Sequence, residues 1–544
     1  MKLLRLALCS LVIGHSSLVI SAGALAGATP TQTRVALADA TIPELQLAME
    51  QGTLTAEKLV RLHLARIAAY DQKGPTLNSL IHVNAKALDE ARALDAERKA
   101  KGPRGPLHGI TVLPKDNYNT FDQPTTGGFK GLAGSIPEHD AFTIRRLREA
   151  GAIILAKANL DEFNSGSSGT SGVGGQTKNP YNLLKSPGGS SAGTGAALAA
   201  VFGQIGLGTE TGSSIRNPST KNNLVGLAPT LGLVSRHGVV PSSILLDRTG
   251  PMARNVTDVA IALHGVGGMD AGDLLTAASL GHFPAEGYLS YLKKDALKHA
   301  RIGILRENFG ADADGAEGRA IADAAIKALD DAGAVLIDPL PVGLDFFTVL
   351  KDVSTGGAER REAMNIYLVS RGSGTTMKSL QDIISSDLAL GKLKEGLARA
   401  QAAKPMYQNA EYDAFARNRA ALQKIVLDLF DRYDLDAIAY PYQTIPEWTI
   451  AEAAPQAGAV SGAPNYDKLG RGTRLSTTTG FPGLTVPAGF TASDGMPVGL
   501  EFLGKPWTEG PLLGLGYAFE QATKHRTLPT STPALDGEWI EFTR

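Results

Sequence analysis

The chain has 544 residues, 43% hydrophobic and 20% charged, enough to bury a large core in one domain. Its formal net charge of −1 gives no electrostatic case for nucleic acid or an anionic membrane as partner. The one cysteine, Cys9, falls in an N-terminal stretch set apart below, so neither a disulfide framework nor thiol chemistry is expected of the rest.

Residues 1–26, MKLLRLALCSLVIGHSSLVISAGALA, place Lys2 and Arg5 before an apolar run and end in Ala24-Leu25-Ala26. That pattern predicts a cleaved secretory signal, leaving a domain over 27–544 at net charge −3. A periplasmic or secreted location follows, and no later stretch reads as a membrane span. Thr41-Ile-Pro-Glu44 reads as a capping box opening a helix, and Thr55 caps the next. A charged, alanine-rich helix is expected over 84–100.

Strands and helices then alternate. Residues 109–113 and 152–155 read as buried strands. Helices are expected over 141–150, with Asp140 as cap, and over 192–202. Residues 301–305, 315–332 and 334–337 read as strand, helix and strand. Residues 342–430 read as a mostly helical excursion, with late strands at 435–440, 483–489 and 497–503. The predicted fold class is α/β: a mixed central sheet with helices on both faces, in a single large domain.

Two Gly/Ser-rich stretches stand between these core elements, SGSSGTSGVGG at 165–175 and SPGGSSAGTG at 186–195. A phosphate cradle is disfavoured, because no Walker pattern occurs and no G-x-G-x-x-G follows a strand with its acidic partner. Gly189-Ser-Ser191-Ala-Gly193 matches the G-x-S-x-G elbow of serine esterases, with Ser191 as nucleophile. The preceding NPYNLLKSP is turn chemistry where the elbow needs a strand. A third reading joins Lys115, at the end of the 109–113 strand, to the loop GTETGSSIRNP at 208–218. A lysine emerging from a buried strand is desolvated and acts as a neutral base. Consecutive amides at Thr211-Gly212-Ser213-Ser214 are the raw material of an oxyanion hole.

VLPKDN (112–117), SPGGSSAGTGAA (186–197) and GTETGSSIRNP (208–218), in that order and spacing, resemble the amidase signature family. Leu246-Asp247, Gly250-Pro-Met-Ala-Arg254 and Gly480-Phe-Pro-Gly-Leu-Thr-Val-Pro-Ala-Gly489 fit the same resemblance, whose core motifs lie in 108–255. In signal and length the chain looks most like bacterial peptide-amidase-like members. The resemblance implies hydrolysis of a small-molecule or peptide carboxamide to acid and ammonia or amine, without cofactor or metal. It implies Ser214 as nucleophile, Ser190 as a bridging serine after a cis peptide, and Lys115 as base. Backbone N–H groups of Thr211, Gly212 and Ser213 would hold the oxyanion, with Ser191, Arg216 and Asp247 in support. The excursion at 342–430 and the loop at 441–475, with Tyr442, Trp448 and Tyr466, would shape the pocket. The family's alternative activity is that of an amidotransferase component supplying ammonia. Departures are Ala192 and Ser213 where glycine is usual, Thr194 for serine and Glu210 for aspartate. Serine at 213 would be strained if that position needs a positive φ.

Overall fold

A computed structural model of the chain describes residues 31–343, 359–454 and 473–544. The expected signal at 1–26, Tyr466, and parts of the excursion and of the 441–475 loop lie outside the described residues.

Sixteen strands form among the described residues: β1 (Gln32–Ala36), β2 (Leu80–Val83), β3 (Thr111–Pro114), β4 (Ile153–Ile154), β5 (Ala156–Ala158), β6 (Thr170–Ser171), β7 (Gly175–Gln176), β8 (Ile205–Glu210), β9 (Val225–Ala228), β10 (Arg248–Ala253), β11 (Arg301–Ile304), β12 (Val335–Ile337), β13 (Ala437–Pro441), β14 (Gly483–Phe490), β15 (Pro497–Leu503) and β16 (Trp539–Thr543). Ten of them make one mixed sheet in the order β12-β11-β13-β15-β14-β9-β10-β8-β3-β4. Neighbours β3 and β8, and β11 and β12, run parallel, whereas β8 and β10, and β14 and β15, run antiparallel. This is the α/β mixed sheet expected from the alternation of patterns. Strand β3 is buried along its length, as a near-continuous apolar run in a covered sheet should be.

The helices that periodicity and caps predicted lie where they were placed, with one correction, while Arg216–Lys221, Val256–Val266 and Glu509–Thr523 form helices that the sequence did not announce. Glu44 accepts from both the N–H and the hydroxyl of Thr41, and Thr55 caps the helix Ala56–Tyr70 by accepting from Lys58 N–H at 3.0 Å. Asp140 does not cap the helix Phe142–Glu149. The N-cap is Ala141, and the Asp140 carboxylate turns to the Phe121 N–H at 3.0 Å and to Arg148 at 3.1 Å. The pull of an arginine one face away outcompetes the local cap.

The helix Ala192–Ala199 is buried on every side, which explains its run of small residues. A Cβ at Gly193 would meet Ser79 O at 2.2 Å and Asn159 N at 2.4 Å, so only glycine lets this helix start so close to its neighbours' backbone. The main apolar core spans both faces of the sheet. A smaller cluster around Phe129, Phe163, Met364, Leu368 and Leu393 holds the described part of the excursion to the body.

Candidate active site

Lys115 follows β3 and is wholly buried. Its Nζ donates to Ser190 Oγ at 2.7 Å and to Thr209 Oγ1 at 2.9 Å. Burial lowers its ammonium to about 7, against the partial opposition of the Asp161, Asp247 and Glu210 charges. Asn117 holds the same threonine, its Nδ2 donating to Thr209 Oγ1 at 2.9 Å. The adjacent Asp116 pairs with a second buried lysine, Lys157, at 3.0 Å, leaving Lys115 to the serine.

Ser190 is buried, and the peptide joining it to Gly189 is cis. No strand precedes this loop. Ser191 serves as N-cap of the 192–199 helix, and its Oγ faces the Thr209 backbone at 3.3–3.4 Å. No histidine hydrogen-bonds to Ser191 among the described residues, so the esterase elbow has neither its strand nor its base. The Ser191 N–H instead donates to Ser214 O at 3.3 Å, tying the two serine loops together.

Ser214 sits half-buried in the turn between β8 and the helix Arg216–Lys221. Glu210 clasps that turn from both sides. Its Oε2 accepts from the N–H groups of Ile215 and Arg216 at 3.1 and 3.2 Å, and its Oε1 from Arg216 and Arg248. Burial by itself raises this carboxyl, but the two guanidiniums hold it below the ordinary glutamate value. Arg216 also reaches Glu501 at 2.5 Å and the Gly212 carbonyl at 3.2 Å. Asp247 accepts from Thr211 Oγ1 at 2.6 Å and from the amides of Ser242 and Ser243. Arg216 and Asp247 therefore hold the turn in place. The N–H groups of Thr211, Gly212, Ser213 and Ser214 have no acceptor among the described residues. Four free amides in succession are an anion-binding surface. Ser213 does not lie at positive φ, which removes the strain that a serine there would otherwise carry.

Sequence reasoning passed over Thr209, Asn117, Asp161 and Asn217. Asn217 Oδ1 accepts from Gly189 N–H at 3.0 Å, linking the helix after Ser214 to the loop of Ser190. Three of the four stand inside the three motifs, so motif membership was their available signal. The loop after β13 braces the serine loop, with Ser186 N–H donating to Trp448 O at 2.9 Å and Lys185 Nζ to Glu447 O at 2.7 Å. Tyr442, from the same loop, is buried beside Ser213 and Asn217, and burial raises its phenol. From the excursion, Glu359 accepts from Ser243 and Tyr412. Among the described residues no group of three or more His, Cys, Asp or Glu is placed to hold a metal ion, and no helix is long and apolar enough to cross a membrane.

The family model for amidases matches residues 58–513. The A component of the glutamyl-tRNA(Gln) amidotransferase of Oleidesulfovibrio alaskensis is 34% identical over 487 residues, covering 88% of this chain and 96% of its own. A probable amidase of Arabidopsis thaliana is 32% identical, covering 95% and 96%. Among solved structures, the native peptide amidase of Stenotrophomonas maltophilia superposes with a TM-score of 0.78 at 34% identity, over 91% of this chain and 99% of its own.

Proposed function

The chain belongs to the amidase family and is an amide hydrolase, and from that premise we propose that it works as an exported enzyme through a Ser214–Ser190–Lys115 relay. The observation that carries the reading is the 2.7 Å bond from the buried Lys115 amine to Ser190, in a loop tied to Ser214. A lysine brought down to about 7 is neutral in much of the enzyme at neutral pH, so it can accept a proton.

Ser214 Oγ attacks the amide carbonyl while its proton passes to Ser190, whose own proton moves to Lys115. The amides of Thr211 to Ser214 receive the oxyanion, and the anchored turn keeps them aimed without reorganisation. Collapse runs the relay backwards, protonates the leaving amine and leaves an acyl-enzyme on Ser214. Water, deprotonated through the same relay, releases the acid. The reading as a peptide-amidase-like enzyme rests on the likeness to the Stenotrophomonas enzyme, and export rests on residues 1–26.

The test is ammonia release by residues 27–544 from a panel of peptide C-terminal amides, aryl amides and aliphatic amides. Ser214→Ala is expected to abolish activity, and Ser190→Ala and Lys115→Ala to reduce it by about 10²-fold or more. Full activity in Ser214→Ala would overturn the relay. The likeness to the amidotransferase component supports a second reading, in which the chain supplies ammonia to a partner; co-purification with a stable partner complex from cytoplasm would favour it.

A further inference from the structure

Asp161 lies just beyond β5, in the stretch Ala158-Asn-Leu-Asp-Glu-Phe163, and belongs to none of the three motifs. It is wholly buried. Its backbone N–H donates to the Ser190 carbonyl at 3.1 Å. One carboxylate oxygen, Oδ1, accepts three bonds: Ser168 N–H at 2.9 Å, Ser168 Oγ at 2.7 Å and Gly169 N–H at 2.9 Å. The other, Oδ2, is buried with no hydrogen-bond partner among the described residues. It lies so close to Gly189 that a Cβ there would stand 2.0 Å from it. Other buried carboxylates with an unbonded oxygen, such as Asp116, Glu501 and Glu538, have a cation in contact, whereas Asp161 has none among the described residues.

Three carboxylates act on Lys115: Asp161, Asp247 and Glu210. Glu210 is in contact with two guanidiniums, those of Arg216 and Arg248. Asp247 shares its field with Arg236 and Arg360. Asp161 forms no contact ion pair among the described residues, and Lys115 is the cation that acts on it. Lys115 donates to Ser190 Oγ, and the Asp161 carboxylate abuts Gly189, the residue just before it.

Resting on the relay proposed above, we propose that Asp161 is a positioning residue for Lys115, its carboxylate being the through-space counter-charge to the ammonium that Lys115 becomes in each half-reaction. The proton balance is simple. Ser214 loses a proton, Ser190 exchanges one, Lys115 gains one, and the negative charge appears on the substrate oxygen. Asp161 takes no proton in this transfer. Burial pushes its carboxyl up to about 6, opposed by the bonds from Ser168 and Gly169 and by the charge of Lys115. In a buried site charges out of contact still act on one another, because little water screens them.

The test is the pH dependence of kcat/KM in Asp161→Asn, a variant that keeps the shape and the Oδ1 acceptor. Removing the negative charge disfavours the ammonium, so the acid limb moves to lower pH by about one unit. The plateau falls about tenfold or more, because the same change makes Lys115 a weaker base. A merely structural role lowers the plateau without moving the limb. Asp161→Ser, which also removes the charge and relieves the contact with Gly189, is read in the same way if the asparagine variant does not fold. An unmoved limb, with Ser214→Ala and Lys115→Ala inactive, overturns the proposal and leaves the relay standing. Wild-type activity in Ser214→Ala or Lys115→Ala removes the relay and this inference with it. Failure of both Asp161 variants to fold assigns the residue to folding alone and overturns the proposal.

Discussion

A lysine amine works as a base near neutral pH only where water has been taken from it, and Lys115 meets that condition through complete burial. The protonated amine cannot accept from Ser190, so kcat/KM of the wild type is expected to rise as pH passes through about 7 and then to level. A bell centred on a histidine-like value would contradict a lysine base. At the same scale, the two adjacent serines separate. Ser191 contacts Thr209 only at 3.3–3.4 Å, long for a hydroxyl bond, so Ser191→Ala is expected to keep activity within about tenfold of wild type. The esterase elbow requires loss as complete as in Ser214→Ala, and one progress curve for each variant decides between them. Lys115, Ser190 and Ser214 were legible in the sequence because each stands in a motif of fixed order. Asp161 and Glu501 were not, because each acquires meaning only from a partner distant in the chain, and Asn217, though inside a motif, shows its part only through its bond to Gly189. Glu501 meets Arg216 across 285 positions, and no local pattern announces that.

Element boundaries followed local chemistry where local chemistry was uncontested. The capping box at Thr41 and the cap at Thr55 were legible, whereas Asp140 was drawn away by Arg148. In the ten-stranded sheet β8, β9 and β10 went unread, and β8 takes in the first three residues of the stretch read as a loop at 208–218. β9 carries Gly226 amid short apolar residues, and β10 carries Gly250 and Pro251, so neither shows the period of a strand. Helix ends also meet across the fold. The helix Glu509–Thr523 sends Glu520 to the start of the helix Val256–Val266, where its Oε1 accepts from Val256 N–H at 2.9 Å. Burial raises this carboxyl from 4.5 to about 8, despite the bond from Val256. An acid whose folded value is raised stabilises the fold below its unfolded value, and that contribution is lost as pH rises from about 4.5 to about 8. Glu520→Gln keeps the acceptor for Val256 and removes the titration. The melting temperature of the variant, measured against wild type, is therefore expected to improve as pH rises from about 5 to about 9. A difference that stays constant over this range would show that Glu520 keeps its ordinary value in the fold.

The two ends of the described chain are joined, a relation that no reading of neighbouring residues supplies. β1 pairs antiparallel with β16, and Thr31 exchanges backbone bonds with Arg544 at 3.1 and 3.0 Å. The order of the ten-stranded sheet was illegible for the same reason: β8 lies between β3 and β10, and β14 lies beside β9, by pairings settled only when the whole core closes. Several side chains fasten the closure, among them Gln51 to Thr543 and Tyr70 to Pro533, and one of them is a buried cation. Arg66, on the helix Ala56–Tyr70, is wholly buried and forms an ion pair with Glu538 at 2.7 Å. It also donates to the carbonyls of Thr532 and Pro533 in the tail. Its Nε donates at 2.7 Å to Ala200 O, at the C-terminal end of the helix that begins beside Ser190 and Ser191. A cation there satisfies an orphan carbonyl and the negative end of the helix dipole. Arg66→Leu leaves Glu538 buried and unpaired, a loss of about 3–5 kcal/mol. Thermal denaturation at a fixed scan rate should show the fall. The kcat of the folded fraction should change less than about threefold, since Arg66 touches no residue of the relay. Adding Glu538→Leu should recover much of the lost stability, because the stranded charge rather than the missing bond carries most of the penalty. Equal melting temperatures for Arg66→Leu and wild type would mean that the β1–β16 pairing and the bonds of Gln51 and Tyr70 hold the tail without the buried ion pair.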